Sequence, residues 1–254
     1  MGASISCLGK EIISETMTDK HILGVIPARG GSKGIPHKNI RELADKPLIA
    51  YAGETGLKSN MITDLILSTD SEEIAQVGVS IGLNVPFIRP KELATDTART
   101  VDVIKHAILT MEEQKNVVYD FCVTLQPTSP LTQVQHIDLA LQHLIDRKSD
   151  SVISLTLMDM HGHPDLMYTI QDGKLSKLLS GKEIHNRNKI QEIYCRTGNV
   201  YAFSRNLPLE HDVLYTKESG FVVIEKEYII NIDDELDWIY AEAAVHHMRK
   251  QKNK

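Results

Sequence analysis

Between residues 22 and 158 short apolar runs alternate with longer amphipathic ones, and that rhythm limits the possible folds more than any other feature of the chain. ILGVIP (22–27), DLILSTD (64–70), VPFIRP (85–90), FCVTLQ (121–126) and SVISLTLM (151–158) have the length and apolar continuity of buried strands. PLIAYAGETGLKS (47–59), SEEIAQVGVSIG (71–82), a segment over about 98–115 and TQVQHIDLALQHLIDRK (132–148) read as helices. Ser71 stands at the N-cap of the second, and residues 134, 137, 141 and 144 lay an apolar stripe along the last. Strands joined through helices of this length predict a doubly wound, mostly parallel sheet with right-handed crossovers.

After residue 159 the rhythm breaks. LMYTIQDGKLSKLL sets two strand-like halves around Asp172-Gly173, a hairpin signal. Residues 180–192 are polar and charged, and strands return at YCRTGNVYAF (194–203) and FVVIE (221–225). IINIDDELDWIYAEAAVHHM reads as a strand running into a helix capped by Asp233. The expected organisation is a leader over 1–20, then one α/β domain over 21–250 carrying an insertion at about 160–192.

Composition removes several functional classes. A chain of 254 residues suits one large α/β domain. A net charge of −6 and 5% aromatic residues argue against nucleic-acid binding, which needs a broad basic surface and stacking rings. Cys7, Cys122 and Cys195 are odd in number and form no CxxC pair, so neither a disulfide framework nor a zinc site is implied, and a reducing, cytoplasmic setting fits. No apolar run approaches the roughly 20 residues of a membrane span. MGASIS fits the loose N-myristoylation pattern, with Cys7 as a second lipid position; the plainer reading is a leader before the first strand.

The chemistry gathers where strands end. VIPARGGSKGIPHKN (25–39) follows the first strand with Gly30, Gly31 and Gly34 among Arg29, Lys33 and Lys38. It is neither G-x-x-x-x-G-K-[ST] nor G-x-G-x-x-G. Glycines let backbone N–H groups approach phosphate oxygens, and in an open parallel sheet ligands bind at the carboxyl ends of the strands. LSTD, RPKELATDT, LQPTSPL and NIDDELD fall at the same edge and add Arg89, Gln126 and Asp233. Taken singly these are a surface arginine, a strand-exit amide and a helix cap. Together, a cationic loop, amides and a carboxylate point to a nucleoside triphosphate site with a metal.

IPARGGSKGIPHKNI, STDSEEIA, RPKELATDTA, LQPTSPL and IDDELDW, in this order and spacing over about 22–245, resemble the acylneuraminate cytidylyltransferase family, the CMP-sialic acid synthetases. The resemblance implies a Rossmann-like domain, a dimerisation insertion and hence a homodimer. It implies transfer of CMP from CTP to the anomeric hydroxyl of a nonulosonic acid, with pyrophosphate released and Mg²⁺ as cofactor. It assigns the triphosphate to the loop Ala28, Arg29, Gly30, Gly31, Ser32 and Lys33. Lys38 falls near phosphate, Asn39 near the base, and Arg89 and Thr100 around cytosine and ribose. Gln126, Arg187 and Tyr201 fall to the sugar acid, and Asp233 with Asn231 to the metal. Arg29, Lys33 and Asp233 are the expected catalytic set. His161, His163 and His185, in the insertion, read as surface residues.

The sequence departs from the family pattern in three places. CRTG puts Cys195 and Thr197 where arginine and asparagine are usual, NID puts Asn231 where aspartate is usual, and HPDLM lacks a following lysine. These spare the nucleotide half and touch the sugar half and the metal. A related nonulosonic acid such as legionaminate or pseudaminate therefore stays open, as do a different nucleotide and a weakly catalytic, nucleotide-binding regulatory role.

Overall fold

The computed structural model describes residues 20–32, 34–147, 149–159, 162–179 and 191–252. The first half holds β1 (Ile22–Pro27), β2 (Glu42–Leu43), β3 (Lys46–Pro47), α1 (Leu48–Leu57), β4 (Asp64–Ser68), α2 (Glu72–Ser80), α3 (Thr100–Lys115) and β5 (Phe121–Thr124). Then come α4 (Val134–Arg147), β6 (Ser151–Leu157), β7 (Tyr168–Gln171), β8 (Lys174–Lys177), β9 (Tyr194–Ser204), α5 (Asn206–His211), β10 (Gly220–Val223) and α6 (Glu235–Lys252). The main sheet has six strands in the order β10-β6-β9-β5-β1-β4.

Alternation along β1 explains the layers. Ile22 and Ile26 face a core built with α1, α2 and α4, through Ile49, Ile74, Ile137 and Leu141. Leu23 and Val25 face the opposite core, built with α3 and α5 through Ile104, Ile108, Met111 and Leu207. A strand covered on both sides needs apolar residues at every position, hence the unbroken run ILGVIP. A third cluster packs Trp238, Ala241 and Val245 of α6 on Ile35, Leu48 and Ile232. The doubly wound expectation holds, with helices on both faces.

Four local expectations change. β9 runs antiparallel to both β5 and β6, so the sheet is mixed at that point. VPFIRP is not a strand; it follows the edge of β4 through two single parallel bridges, Ile66 to Asn84 and Thr69 to Ile88. The closing apolar stretch forms no strand either, and Ile232 N–H instead donates to the Thr128 carbonyl at 2.9 Å. Its helix is capped by Asp234, whose Oδ1 accepts from the N–H groups of Leu236 and Asp237, and not by Asp233. Ser71 caps α2 as expected, accepting from Ile74 N–H, and the β7–β8 hairpin turns at Asp172-Gly173, both with positive φ.

β9 carries an irregularity that matters for the site. Ile153 pairs with Tyr201 and Leu155 with Arg196, so Ser154 alone opposes Thr197 to Val200. Bulges of this kind re-aim a strand. Ser154 stitches this one: its hydroxyl oxygen accepts from Thr197 Oγ1 at 2.8 Å and from Val200 N–H at 3.0 Å. Ser154→Ala leaves those buried donors without a partner and is expected to lower the unfolding free energy by about 1–3 kcal/mol. Urea melts check it; an unchanged midpoint would mean that the bulge does not depend on this hydroxyl.

Candidate active site

The loops after β1 and β5, the segment between α2 and α3 and the segment before α6 meet at the carboxyl edge of the parallel strands. There they enclose a cleft of about 450 Å³. One wall is the glycine-rich loop. Ala28 is buried, and its N–H donates to Ser68 O at 2.9 Å. Gly30 N–H donates to Asp70 Oδ1 at 2.9 Å, so the start of the loop is tied to β4 rather than open to the cleft. Asn39 Nδ2 donates to Arg29 O at 2.9 Å and closes the loop on itself. Gly31 and Ser32 line the cleft. A Cβ on Gly31 would meet nothing within 4 Å, whereas one on Gly34 would overlap the carbonyl oxygen of Asp233. Gly34 is thus a point at which this loop and the segment before α6 touch.

The cations differ in setting. Arg29 Nη1 donates to Thr95 O at 3.1 Å and pairs with Asp96 at 3.0 Å across the cleft mouth. Lys38 Nζ donates to Ile232 O at 2.7 Å and stands 3.8 Å from Asp233. Burial pushes the Lys38 pKa down, while Asp233 opposes that shift. Arg89 is only 3% exposed, 3.6 Å from Asp70, and its Nε has no hydrogen-bond partner. Burial lowers its pKa against the pull of Asp70. Lys33 and Arg187 lie outside the described residues, as do His161 and His185. His163 is buried rather than at the surface, with Nε2 3.1 Å from Gln191 O.

The far wall is polar and acidic. Thr100 opens α3 at the cleft, and Gln126, Asn231 and Asp233 line it. Asp233 keeps 71% of its side chain exposed and accepts from Asn231 Nδ2 at 2.5 Å. Tyr201 is not among the cleft-lining residues. It lies partly buried on the α3 side, its ring 6.1 Å from that of Tyr215, with Arg196 bonded to the Tyr215 hydroxyl. Cys195 is exposed and Thr197 is buried against Ser154.

Residues 23–252 match the family model described as Cytidylyltransferase. The chain belongs to the cytidylyltransferase family. Among curated relatives it is 34% identical over 227 residues to a CMP-N,N'-diacetyllegionaminic acid synthase of Legionella pneumophila, covering 87% of this chain and 94% of that protein. It is 31% identical over 226 residues to a pseudaminic acid cytidylyltransferase of Campylobacter jejuni, covering 86% and 94%. Among solved structures it resembles a CMP:2-keto-3-deoxy-manno-octonic acid synthetase complexed with CTP, with TM-score 0.69, 15% identity, 90% of this chain and 100% of that one. The protein is a nucleotidyltransferase with a Rossmann-like mixed α/β fold.

The cytidylyltransferase cleft fits a metal carried in by its substrate better than a resident one. Among the described residues no group of three or more His, Cys, Asp or Glu side chains could cage an ion. Asp233 offers one carboxylate, and half a turn of the Asn231 amide would bring its oxygen to the same side. Mg²⁺ keeps several waters and is commonly held by one or two carboxylates plus substrate phosphates, so this sparse set suits it. Among the described residues no helix is long and apolar enough to cross a membrane.

Sequence reasoning overlooked several residues of this enzyme. Asp70 and Asp96 stand inside LSTD and RPKELATDT with no chemical signature of their own, and Asp70 anchors both Gly30 and Arg89. Asn199 ties the β9 bulge to two loops, donating to Thr132 Oγ1 at 3.0 Å and Tyr228 O at 3.1 Å. A Gly-Asn pair inside a strand pattern was the available signal for that bulge.

Proposed function

We propose that the enzyme transfers CMP from CTP to the anomeric hydroxyl of a nonulosonic acid and releases pyrophosphate. The observation that carries this reading is the meeting, across one cleft, of the glycine-rich loop and its cations with the Asn231–Asp233 pair. The names of the two relatives, aligned over 94% of their lengths, support the acceptor class.

The acceptor's anomeric oxygen bonds to the α-phosphorus as the bond from that phosphorus to the bridging oxygen breaks. The hydroxyl proton passes to water and the electron pair leaves on pyrophosphate. Little covalent work falls to the protein, which positions reactants and balances charge. Backbone N–H groups at Gly31 and Ser32 receive the phosphates, and Lys33 of the same loop adds charge. Arg29 exchanges Asp96 for the departing pyrophosphate, and Lys38 steadies the phosphates beside Asp233. Arg89, Thr100 and Asn39 take the base and ribose, and Gln126 takes the acceptor. Asp233 and Asn231 would hold Mg²⁺ together with the phosphates, where it would supply neutralising charge.

A pyrophosphate-release assay with CTP against N,N'-diacetyllegionaminic, pseudaminic and N-acetylneuraminic acids tests the proposal. Turnover is expected with one of the first two in preference to the third, because Thr197 bonds Ser154 and Asn231 carries no charge. Silence with all three acids, or equal turnover with ATP, overturns the reading.

The enzyme is further proposed to act as a homodimer through the β7–β8 hairpin. Ile170 and Leu175 pair across it while 74% and 66% exposed, with Tyr168 on the same face. Ile170→Asp should shift the sedimenting species from dimer to monomer; a wild type that sediments as a fully active monomer refutes the dimer.

A further inference from the structure

The bulge in β9 brings Gly198 against three polar side chains, two from the loop after β5 and one from the segment before α6. A Cβ placed on it would lie 2.8 Å from Ser129 Oγ, 3.0 Å from Gln126 Oε1 and 3.7 Å from Asn231 Oδ1. The φ of Gly198 is not in the left-handed region, so glycine here answers a need for space rather than for conformation. The bulge cannot readily back away. Asn199 pins it to Thr132 and Tyr228, and Ser154 holds Thr197 and Val200. Ser129 is 2% exposed, and its hydroxyl has no hydrogen-bond partner in the protein, an arrangement that costs free energy unless a ligand or a moved neighbour completes it.

We infer that Gly198 and Ser129 are positioning residues for the acceptor half of the reaction and act through Gln126. The bare face of Gly198 leaves the room in which the Gln126 amide sits, and the Ser129 hydroxyl, which meets the same bare face, is the group that fixes the amide's orientation once an acceptor occupies the cleft. The glycine-rich loop, Arg89 and Thr100 are not among the groups nearest a Cβ at position 198, and Asn231, the farthest of the three at 3.7 Å, stands at ordinary van der Waals distance. This inference rests on the acceptor role proposed for Gln126.

The test is steady-state kinetics with CTP and whichever of the three nonulosonic acids the wild type turns over. Gly198→Ala is expected to raise the KM for the acid on the order of tenfold, with the KM for CTP unchanged, since a small displacement of a positioning group is felt strongly. Ser129→Ala should raise the acid KM less, and in Gly198→Ala it should restore part of the loss, because removing Oγ removes the nearest clash. In a Gln126→Ala background, Gly198→Ala should add nothing. A Gly198→Ala protein that raises both KM values alike, or whose effect persists unchanged without Gln126, overturns the inference. If Gly198→Ala fails to fold, Ser129→Ala alone decides: an unmoved acid KM rejects it. Should Gln126→Ala itself leave the acid KM unmoved, the acceptor role of Gln126 is what fails.

Discussion

Gly34→Ala is expected to cost on the order of a hundredfold in kcat/KM for CTP, because one methyl group would force apart the two walls of the cleft. The Cβ would overlap the backbone carbonyl of Asp233, and a backbone atom cannot swing aside as a side-chain tip can. Either the glycine-rich loop or the segment before α6 must move, taking with it the Lys38 bond to Ile232 O. Gly34 does not belong to the three apolar clusters, so far-ultraviolet circular dichroism should be unchanged. Gly31→Ala separates geometry from ligand contact. Its Cβ meets no protein atom within 4 Å, so its melting temperature should match the parent's, and any rise in the KM for CTP reports the triphosphate alone. A Gly34→Ala enzyme with parental kinetics would show that the two walls need not touch.

Asp233→Ala is expected to lower kcat roughly a thousandfold. It should leave thermal stability in place, because Asp234 and not Asp233 caps α6. That combination separates a functional carboxylate from a structural one; a large fall in melting temperature would return Asp233 to a structural role. Asn231→Asp acts in the opposite direction. A second carboxylate strengthens the hold on a hard cation, so the Mg²⁺ concentration for half-maximal rate should fall by roughly 3- to 10-fold. If the Mg²⁺ titration does not move, position 231 is not a ligand; if EDTA leaves the wild type fully active, no metal is needed.

The nucleotide wall was legible because its chemistry and its fold use the same residues. A strand covered on both faces must be continuously apolar, the loop after it must lie at the carboxyl edge, and glycines with cations on that loop have few other uses. Arg29, Lys38, Arg89, Thr100, Gln126, Asn231 and Asp233 accordingly share one cleft. Strand direction was not legible: from Thr197 onward β9 is covered on both faces like the parallel strands, and periodicity carries no sign. VPFIRP reads as a strand, yet its partner edge offers only two bridges, so composition outran pairing. NIDDELD holds three aspartates within a turn of the helix start, and only geometry separates the cap from the cleft-facing carboxylate. Gly198 escaped notice because its role lies in what three distant side chains require of it.

The contact between the glycine-rich loop and the segment before α6 has a consequence for biosynthesis. Lys38 and Ile232 are 194 residues apart in the chain, as are Arg41 and Glu235, whose side chains pair at 2.6 Å. At about 5–20 residues added per second, the second partner leaves the ribosome some 10–40 s after the first. Throughout that interval Lys38 and Arg41 of the nascent polypeptide lack these partners. Catalytic competence therefore waits until the segment before α6 has emerged, and a product terminated ahead of Asn231 would be inert rather than partly active.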